Sequence, residues 1–316
     1  MERITVEQAA EYLRAHDGYI VYNHVRPDGD ALGSAAALTL ILRGIGKKAF
    51  AFSPDGIPEK FGFLPKEGVF IASPSEAEGF IPLSVDVAGP QLLGDTEIPL
   101  FAISFDHHLI NTLECERLCA DSGKIAAGEI IYALAVRLGA KITKDIADSL
   151  YTAICSDSGG FRYSLTSAET HRIAAVLHEA GADFVTINRR LFENKSKAQF
   201  ELCKLAFNKL RTMRGGRCAY VAITKAEMDG CGAGDDDFDC INAIPREIEG
   251  VGISAVLRPR DGGCKVSLRS SADVDVSAIA KRFGGGGHYH AAGFSLDSGV
   301  EESEAVIRKI FEEAEL

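Results

Sequence analysis

The stretch from residue 18 to residue 46, "GYIVYNHVRPDGDALGSAAALTLILRGIG", decides the fold. It opens on a short apolar run, passes through an acidic turn and closes on a long apolar segment of helical character. A buried strand followed within a few residues by a helix is the unit from which parallel sheets are built. The turn carries His24, Asp28 and Asp30. Two carboxylates two residues apart repel each other when both are charged, so something must make their proximity favourable.

The same alternation continues outward. "KKAFAFS", "PLSVDVAG" and "PLFAISFDHH" read as further strands, and "AAGEIIYALAVRLG" and "KDIADSLYTAICSD" as helices. The expected class is α/β, with a mainly parallel sheet covered on both faces. No G-x-G-x-x-G follows the first strand and no Walker A motif occurs, so the common nucleotide-cofactor loops are absent. From "SAETHRIAAVLHEAGA" to "SKAQFELCKLAFNKL" the chain reads as helical throughout. Strands follow in "RCAYVAIT", "GISAVLRPRDGGCKVSLRS" and "AAGFSL", with "RDGG" as a hairpin turn, and an amphipathic helix, "EESEAVIRKIFEEAEL", comes last. One core seldom grows past about 250–300 residues, and this chain has 316. The expected organisation is a first domain over 1–191, a helical linker over 192–211 and a smaller α/β domain over 212–316.

Composition limits the function. The apolar fraction is 46% and the charged fraction 25%, as in ordinary soluble proteins. No apolar run approaches the roughly 20 residues that span a bilayer. The N-terminal segment lacks a signal-peptide core and reads as a helix, with Thr5 and Gln8 placed for a capping box. A cytoplasmic location is expected, with no membrane partner. Eight scattered cysteines without a C-x-x-C favour free thiols, and Cys115 and Cys119 lack a second pair at zinc-site spacing. The net charge of -11 and the lack of a long Lys/Arg run argue against tracking of long duplex. An anionic substrate has to be small, or held by a local cationic site such as metal ions.

In an open parallel sheet, ligands gather outside the carboxyl ends of the strands. His24, Asp28 and Asp30 follow the first strand, Asp86 ends "PLSVD", Asp106, His107 and His108 end "FAISFDHH", and Asp157 follows "LYTAIC". Taken singly, each is as well read as a helix cap or turn residue. Together, four chain segments deliver carboxylates and imidazoles to one edge. Clustered carboxylates need a cation, and mixed Asp/His ligation suits a first-row divalent ion such as Mn²⁺, with Mg²⁺ preferring more oxygen. The ligands are too many for one tetrahedral ion and suit two ions bridged by one carboxylate. A hydroxide between the ions then serves as nucleophile. Near the end, "RFGGGGHYHAAGF" supplies four glycines whose N–H groups can form an anion nest, followed by His288, while Arg269 in "SLRSS" offers a forked phosphate donor. Tyr289 and His290 stay open at this stage.

These segments resemble a known family. "HVRPDGDALGS", the Asp of "SVD", "DHHLIN" and "SDSGGFRYS" are similar to the four motifs of DHH phosphoesterases, and "VSLRSSADVDVSAIAKRFGGGGHYHAAGF" resembles the DHH-associated C-terminal domain. The likeness covers nearly the whole chain and points to the nanoRNase/pAp phosphatase branch. It implies that His24, Asp28 and a bridging Asp86 hold one Mn²⁺, and that Asp30, Asp86, His107 and Asp157 hold the other. It implies that Asp106 orients a metal ligand, that His108 contacts the scissile phosphate, and that Arg269, Ser270, Gly286, Gly287 and His288 hold substrate. The implied activity is cleavage of short single-stranded oligoribonucleotides to mononucleotides and of 3'-phosphoadenosine 5'-phosphate (pAp) to AMP.

Other functions compete with this one. A linear or cyclic dinucleotide phosphodiesterase (pApA, cyclic di-AMP) would use the same motifs. Inorganic pyrophosphatase shares the first-domain motifs but has an Arg/Lys cluster in place of GGGGH. A long-strand exonuclease would need a further binding domain and basic charge. A non-catalytic nucleotide sensor would be expected to have lost ligand positions, and none departs from the pattern. An edge strand of the first domain offers a surface for a homodimer.

Overall fold

The computed structural model describes residues 1–65, 67–271 and 273–314, and the side chains of Asp236 and His288 lie outside the described set. It divides into two units, Met1–Asn194 and Lys195–Leu316.

The first unit runs β1 (Glu2–Arg3), α1 (Val6–Ala15), β2 (Tyr19–Tyr22), α2 (Gly29–Gly44), β3 (Ala49–Phe52), β4 (Phe70–Ile71), β5 (Ile81–Val85), β6 (Phe101–Asp106), β7 (Cys115–Ala120), α3 (Ala127–Leu138), α4 (Lys144–Asp157), α5 (Ala168–Glu179) and α6 (Phe184–Asn188). Its sheet has the order β1-β7-β6-β5-β2-β3-β4. Every described pairing in it is parallel. All four residues of β2 are buried, as a central strand covered on both faces requires. The expected capping box at Thr5 and Gln8 starts α1. The strand order reverses between β2 and β5, so a crevice opens outside their carboxyl ends. His24 follows one of these strands and Asp86 the other.

α2 is apolar nearly all round and is buried accordingly. Two glycines let it lie close to α4. A Cβ on Gly33 would stand 2.4 Å from the Ser149 carbonyl oxygen, and one on Gly29 would stand 2.6 Å from the Ser156 Cβ. Glycine in a helix costs about 0.5–1 kcal/mol against alanine. Here that cost brings the start of α2, with Asp28 and Asp30, next to the end of α4, with Asp157.

The second unit runs α7 (Lys197–Lys209), β8 (Arg211–Met213), β9 (Cys218–Ala222), α8 (Lys225–Gly230), β10 (Ile253–Arg260), β11 (Gly263–Ser270), α9 (Val276–Lys281), β12 (Gly286–His288), β13 (Ala291–Leu296) and α10 (Val300–Glu313). Its sheet, β12-β13-β11-β10-β9-β8, is antiparallel except at β9 and β10. The "RDGG" turn closes β10 on β11, with Arg260 opposite Gly263 and Gly262 at φ 73°.

Three details differ from the sequence reading. The helical stretch is interrupted by a wider turn at Arg189–Glu193 and restarts at Ser196, which caps α7 in a box with Gln199. α7 is not a free-standing linker: Leu202 and Ala206 are buried with Val221, Ile223 and Phe238 of the second unit. The glycine run does not stop ahead of the strand "AAGFSL": its last two residues, Gly286 and Gly287, themselves lie in edge strand β12. A Cβ on Gly285 would meet the Gly293 carbonyl oxygen at 2.2 Å, and one on Gly287 the Ala291 carbonyl oxygen at 2.5 Å. The close approach that glycine permits is made to the neighbouring strand β13.

Candidate metal centre

Each acidic residue is placed by a backbone feature. Asp28 caps α2, accepting from the Ala31 N–H at 3.0 Å, so the bland reading of this residue is correct as far as it goes. Its Oδ1 also lies 3.8 Å from His24 Nε2. Asp86 directly follows β5 with a left-handed backbone, φ 57°, and its N–H donates to the Phe105 carbonyl at 2.9 Å. Such a conformation is rare outside glycine and accumulates at functional sites. Asp157 is the last residue of α4. A carboxylate there opposes the helix dipole and gains from a nearby cation.

Asp30 is fully buried and held by three donors. Its Oδ1 accepts from Ser34 Oγ at 2.8 Å and from the Gly128 N–H at 3.0 Å, and its Oδ2 accepts from the Ala127 N–H at 2.6 Å. The last two belong to the first turn of α3, whose positive end favours the anion. Oδ2 keeps one lone pair and lies 3.7 Å from His107 Nε2.

The side chains converge as three groups of potential ligands: His24, Asp28 and Asp86; Asp30, His107 and Asp157; and Asp86, His107 and His108. Among the described residues no such group contains a cysteine. Asp86 stands between the first two groups. Its Oδ2 lies 3.5 Å from His24 Nε2 and its Oδ1 3.4 Å from His107 Nε2. His107 Nε2 is also 3.3 Å from Asp157 Oδ2.

The rings are oriented for lone pairs to face the carboxylates. His24 Nδ1 lies 2.9 Å from the Val25 carbonyl, and His107 Nδ1 lies 3.4 Å from the Lys124 carbonyl. A carbonyl only accepts, so both Nδ1 atoms carry hydrogen. In the neutral rings, Nε2 then presents a lone pair toward oxygens that also carry lone pairs. Asp86 Oδ1 is buried and makes no hydrogen bond. An imidazole turned by a carbonyl and a carboxylate oxygen left bare form a donor set that fits a divalent ion.

Without an ion the cluster retains protons. Burial works against charge on His24, and the hydrogen bond and charge of Asp86, with Asp28, outweigh it and carry the ring up to about 9. At His107 burial likewise opposes the charge, and Asp86, Asp30 and Asp157 carry it up to about 10. Burial, then the Asp86 charge, pushes Asp30 up to about 8. Burial, then the charges of Asp30, Asp28 and Asp86, raises Asp157 well above the carboxylate range. Asp86 alone goes down: burial raises it, but His107 and His24 together lower it further.

Asp106 is fully buried and bonds to both histidines that follow it. Its Oδ1 accepts from His108 Nδ1 at 2.7 Å and from the His107 backbone N–H at 2.9 Å. Its Oδ2 accepts from Asn111 Nδ2 at 2.6 Å. The Asp106 bond, ahead of the opposing effect of burial, holds the His108 pKa above its ordinary value. Asn111 was missed in the sequence. Its Nδ2 also donates to the Val87 carbonyl at 3.0 Å, tying the segment after β5 to the one after β6. The signal was a lone amide after "HHLI".

In the second unit, Arg269 stands on β11 opposite Ala291 of β13. Ser270 is buried, donates to the Val274 carbonyl at 2.8 Å and faces His290 Nδ1 at 2.9 Å, so its hydroxyl is engaged inside the unit. Tyr289 donates to Asp273 Oδ1 at 2.6 Å. Gly286 and Gly287 lie in β12. The expected role of the His288 side chain falls outside the described residues.

A centre of this kind, at the carboxyl edge of a parallel sheet, is that of a metal-dependent hydrolase. Comparison with known proteins narrows the class. Residues 19–154 match the model of the DHH family, N-terminal domain, and residues 232–315 that of the DHHA1 domain. A Thermus thermophilus protein named bifunctional oligoribonuclease and PAP phosphatase NrnA is 33% identical over 95% of this chain and 90% of its own length. The Bacillus subtilis protein of the same name is 27% identical over 90% of this chain and 91% of its own. The fold matches a crystal structure of an exopolyphosphatase-related protein from Bacteroides fragilis, with a TM-score of 0.88, 23% identity and coverage of 97% and 95% of the two chains. The chain belongs to the DHH phosphoesterase family, in the two-domain form that ends in DHHA1. Among the described residues no helix is long and apolar enough to cross a membrane.

Proposed function

We propose that this protein hydrolyses short oligoribonucleotides to mononucleotides and removes a phosphate from pAp, in the cytoplasm, using two Mn²⁺ ions, with Mg²⁺ as the alternative. The observation that supports the reading is Asp86, which belongs to the group of His24 and Asp28 and turns its Oδ2 to His24 and its Oδ1 to His107 of the Asp30, His107 and Asp157 group. The names of the relatives support the substrate class.

His24, Asp28 and Asp86 would hold one ion, and Asp30, Asp86, His107 and Asp157 the other. Bound there, the ions neutralise phosphate charge and lower the pKa of water to the neutral range. The chain's own residues do the rest. Asp106 holds the proton on His108 Nδ1, fixing the ring and favouring its cationic form. That ring is suited to stabilise the equatorial oxygens of the transition state. Arg269 would bind a phosphate with its planar fork, and Gly286, Gly287 and His288 would accompany it on the substrate. Ser270 would act by positioning His290.

The experiment supplies purified protein and Mn²⁺ with labelled di- to pentaribonucleotides, pAp, pApA, cyclic di-AMP and pyrophosphate. Mononucleotides from the RNA and AMP from pAp are expected. Intact RNA and intact pAp would overturn the reading, and turnover confined to dinucleotides would move the protein to signalling turnover.

A further inference from the structure

The second unit gathers positive charge in one segment. Between Lys195 and Arg217 stand seven lysines and arginines against one carboxylate, Glu201, in a chain of net charge -11. The fold sorts them. α7 turns Leu202 and Ala206 into the core. Its other face exposes Lys197, Phe200, Lys204 and Phe207, and the exposed Arg211 continues the line at the start of β8. Spacings of three and four residues put these side chains on one stripe.

The two phenyl rings are 59% and 60% exposed. Rings this exposed contribute little to the folding of this unit where they stand. They are two turns apart, about 10 Å, with Lys204 between them. Lys204 meets Glu201 at 2.7 Å, but both are exposed, and a pair of that kind holds its partners weakly. Lys209 pairs with Glu227 and Arg214 donates to the carbonyls of Phe311 and Ala314, while Arg211 donates through one nitrogen, Nη1, to the carbonyls of Asn208 and Leu210 at the end of α7.

We propose that this stripe binds single-stranded RNA, with phosphates against Lys197, Lys204 and Arg211 and bases stacked on Phe200 and Phe207. Alternating cations and aromatic rings match a polymer of alternating phosphates and bases, and stacking of this kind tolerates any sequence. The stripe thereby favours oligomers longer than a dinucleotide. A second copy of the chain is the poorer occupant, since a two-fold contact would set the positive stripe against itself. The proposal deepens the function proposed above and rests on it for the identity of the RNA.

The test measures anisotropy of a labelled single-stranded RNA heptamer on full-length protein stripped of metal, so that binding is read without cleavage. The variants are Phe200→Ala/Phe207→Ala and Lys197→Gln/Lys204→Gln, with pAp turnover in Mn²⁺ as the control. The ring variant is expected to weaken heptamer binding tenfold or more, the scale of base stacking. The charge variant is expected to lower the slope of log affinity against log salt by about 0.7 for each phosphate contact removed. Both should keep the wild-type circular dichroism. Heptamer binding that is absent in the wild type, or equal in all three proteins, would overturn the proposal. So would a dimer, seen by sedimentation, that the ring variant abolishes while leaving RNA binding unchanged. A wild type that cleaves neither RNA nor pAp, yet binds the heptamer through the stripe, would remove the proposed activity and leave the stripe standing.

Discussion

In the first unit, the groups suited to chemistry are Asp30, Asp86 and Asp106, buried at or near the strand ends of the parallel sheet; the carboxylates of Asp30 and Asp106 accept from backbone N–H groups, and Asp86 is fixed by its own N–H donating to the Phe105 carbonyl. In the second unit, the groups proposed to bind are spread over β11, with Arg269 half-buried, the edge strand β12 and the exposed outer face of α7. The difference follows from topology. A parallel sheet directs every strand end to one edge, where like charges accumulate at separations that cost about 4 kcal/mol per pair near 4 Å at an effective dielectric of about 20. A mostly antiparallel sheet alternates its ends and leaves its polar groups dispersed. On the proposed function, the first unit holds metal and needs rigid placement, and the second meets the substrate. Substitutions in the first should reduce kcat and bound metal, and those in the second should raise KM.

The largest expected effect is at Asp86. Asp86→Asn keeps a side chain that tolerates the left-handed backbone but removes the charge facing both histidines. A fall in kcat of roughly a thousandfold is expected, the scale of losing a principal electrostatic stabiliser, with loss of bound metal by elemental analysis. The matching change, Arg269→Ala, should raise KM about tenfold to a hundredfold, as one hydrogen bond to a charged group predicts, and leave metal content alone. If Arg269→Ala strips metal, or Asp86→Asn changes KM alone, the division of labour fails.

Metal affinity should also depend steeply on pH. The raised values of Asp30, about 8, His24, about 9, and His107, about 10, mean that the ion-free centre keeps protons to high pH. An incoming ion must displace them. Apparent affinity should therefore climb as pH rises from 6 to 8, by up to about tenfold per unit for each proton displaced, and flatten as each group passes its own value. Calorimetry in buffers of different ionisation enthalpy counts the protons released. Affinity that is flat between pH 6 and 8 would contradict the cluster's electrostatics.

Much of this was legible in the sequence. "YIVY" before an acidic turn and "GDALGSAAALTLIL" after it are locally unambiguous, and the three elements came out as read. β7 was not legible, because "CERLCA" places Glu116 and Arg117 side by side and breaks alternation. The strand at Gly286–His288 was not legible, because close backbone approach has the same composition whether the neighbour is a ligand or a strand. The α7 stripe escaped notice because its cations recur at helical spacing and form no continuous run. Asn111 was hidden for a different reason: its importance lies in bonds to Asp106 and Val87, and nothing in local pattern reports those.

Asn111 supplies the next test. Asn111→Ala leaves every candidate ligand in place but removes the donor to Asp106 Oδ2 and the tie to Val87. Loss of an outer partner of this sort typically costs about 10–100-fold in affinity or activity. Here the loss should fall on kcat, with metal stoichiometry retained and the alkaline limb of the pH profile moved as His108 is held less firmly. Unchanged kinetics would make Asn111 a turn residue and nothing more.

The smallest effects come from two glycines that make similar close approaches in the two units. Gly33→Ala sets a methyl 2.4 Å from the Ser149 carbonyl oxygen, and Gly285→Ala sets one 2.2 Å from the Gly293 carbonyl oxygen. Each forces a backbone shift, and overpacking of this kind costs about 1–3 kcal/mol, readable by denaturant unfolding. The steric insult is alike, so any difference in function isolates what each contact positions. Gly33 sets the spacing of α2 and α4, hence of Asp30 from Asp157, and its substitution should weaken metal binding as well as stability. Gly285 sets β12 on β13, and its substitution should raise KM while metal affinity stays at the wild-type value. Equal loss of metal from both variants would show that the centre depends on the second unit's edge as much as on its own helices, and the contrast between the two sheets would no longer explain where chemistry and binding reside.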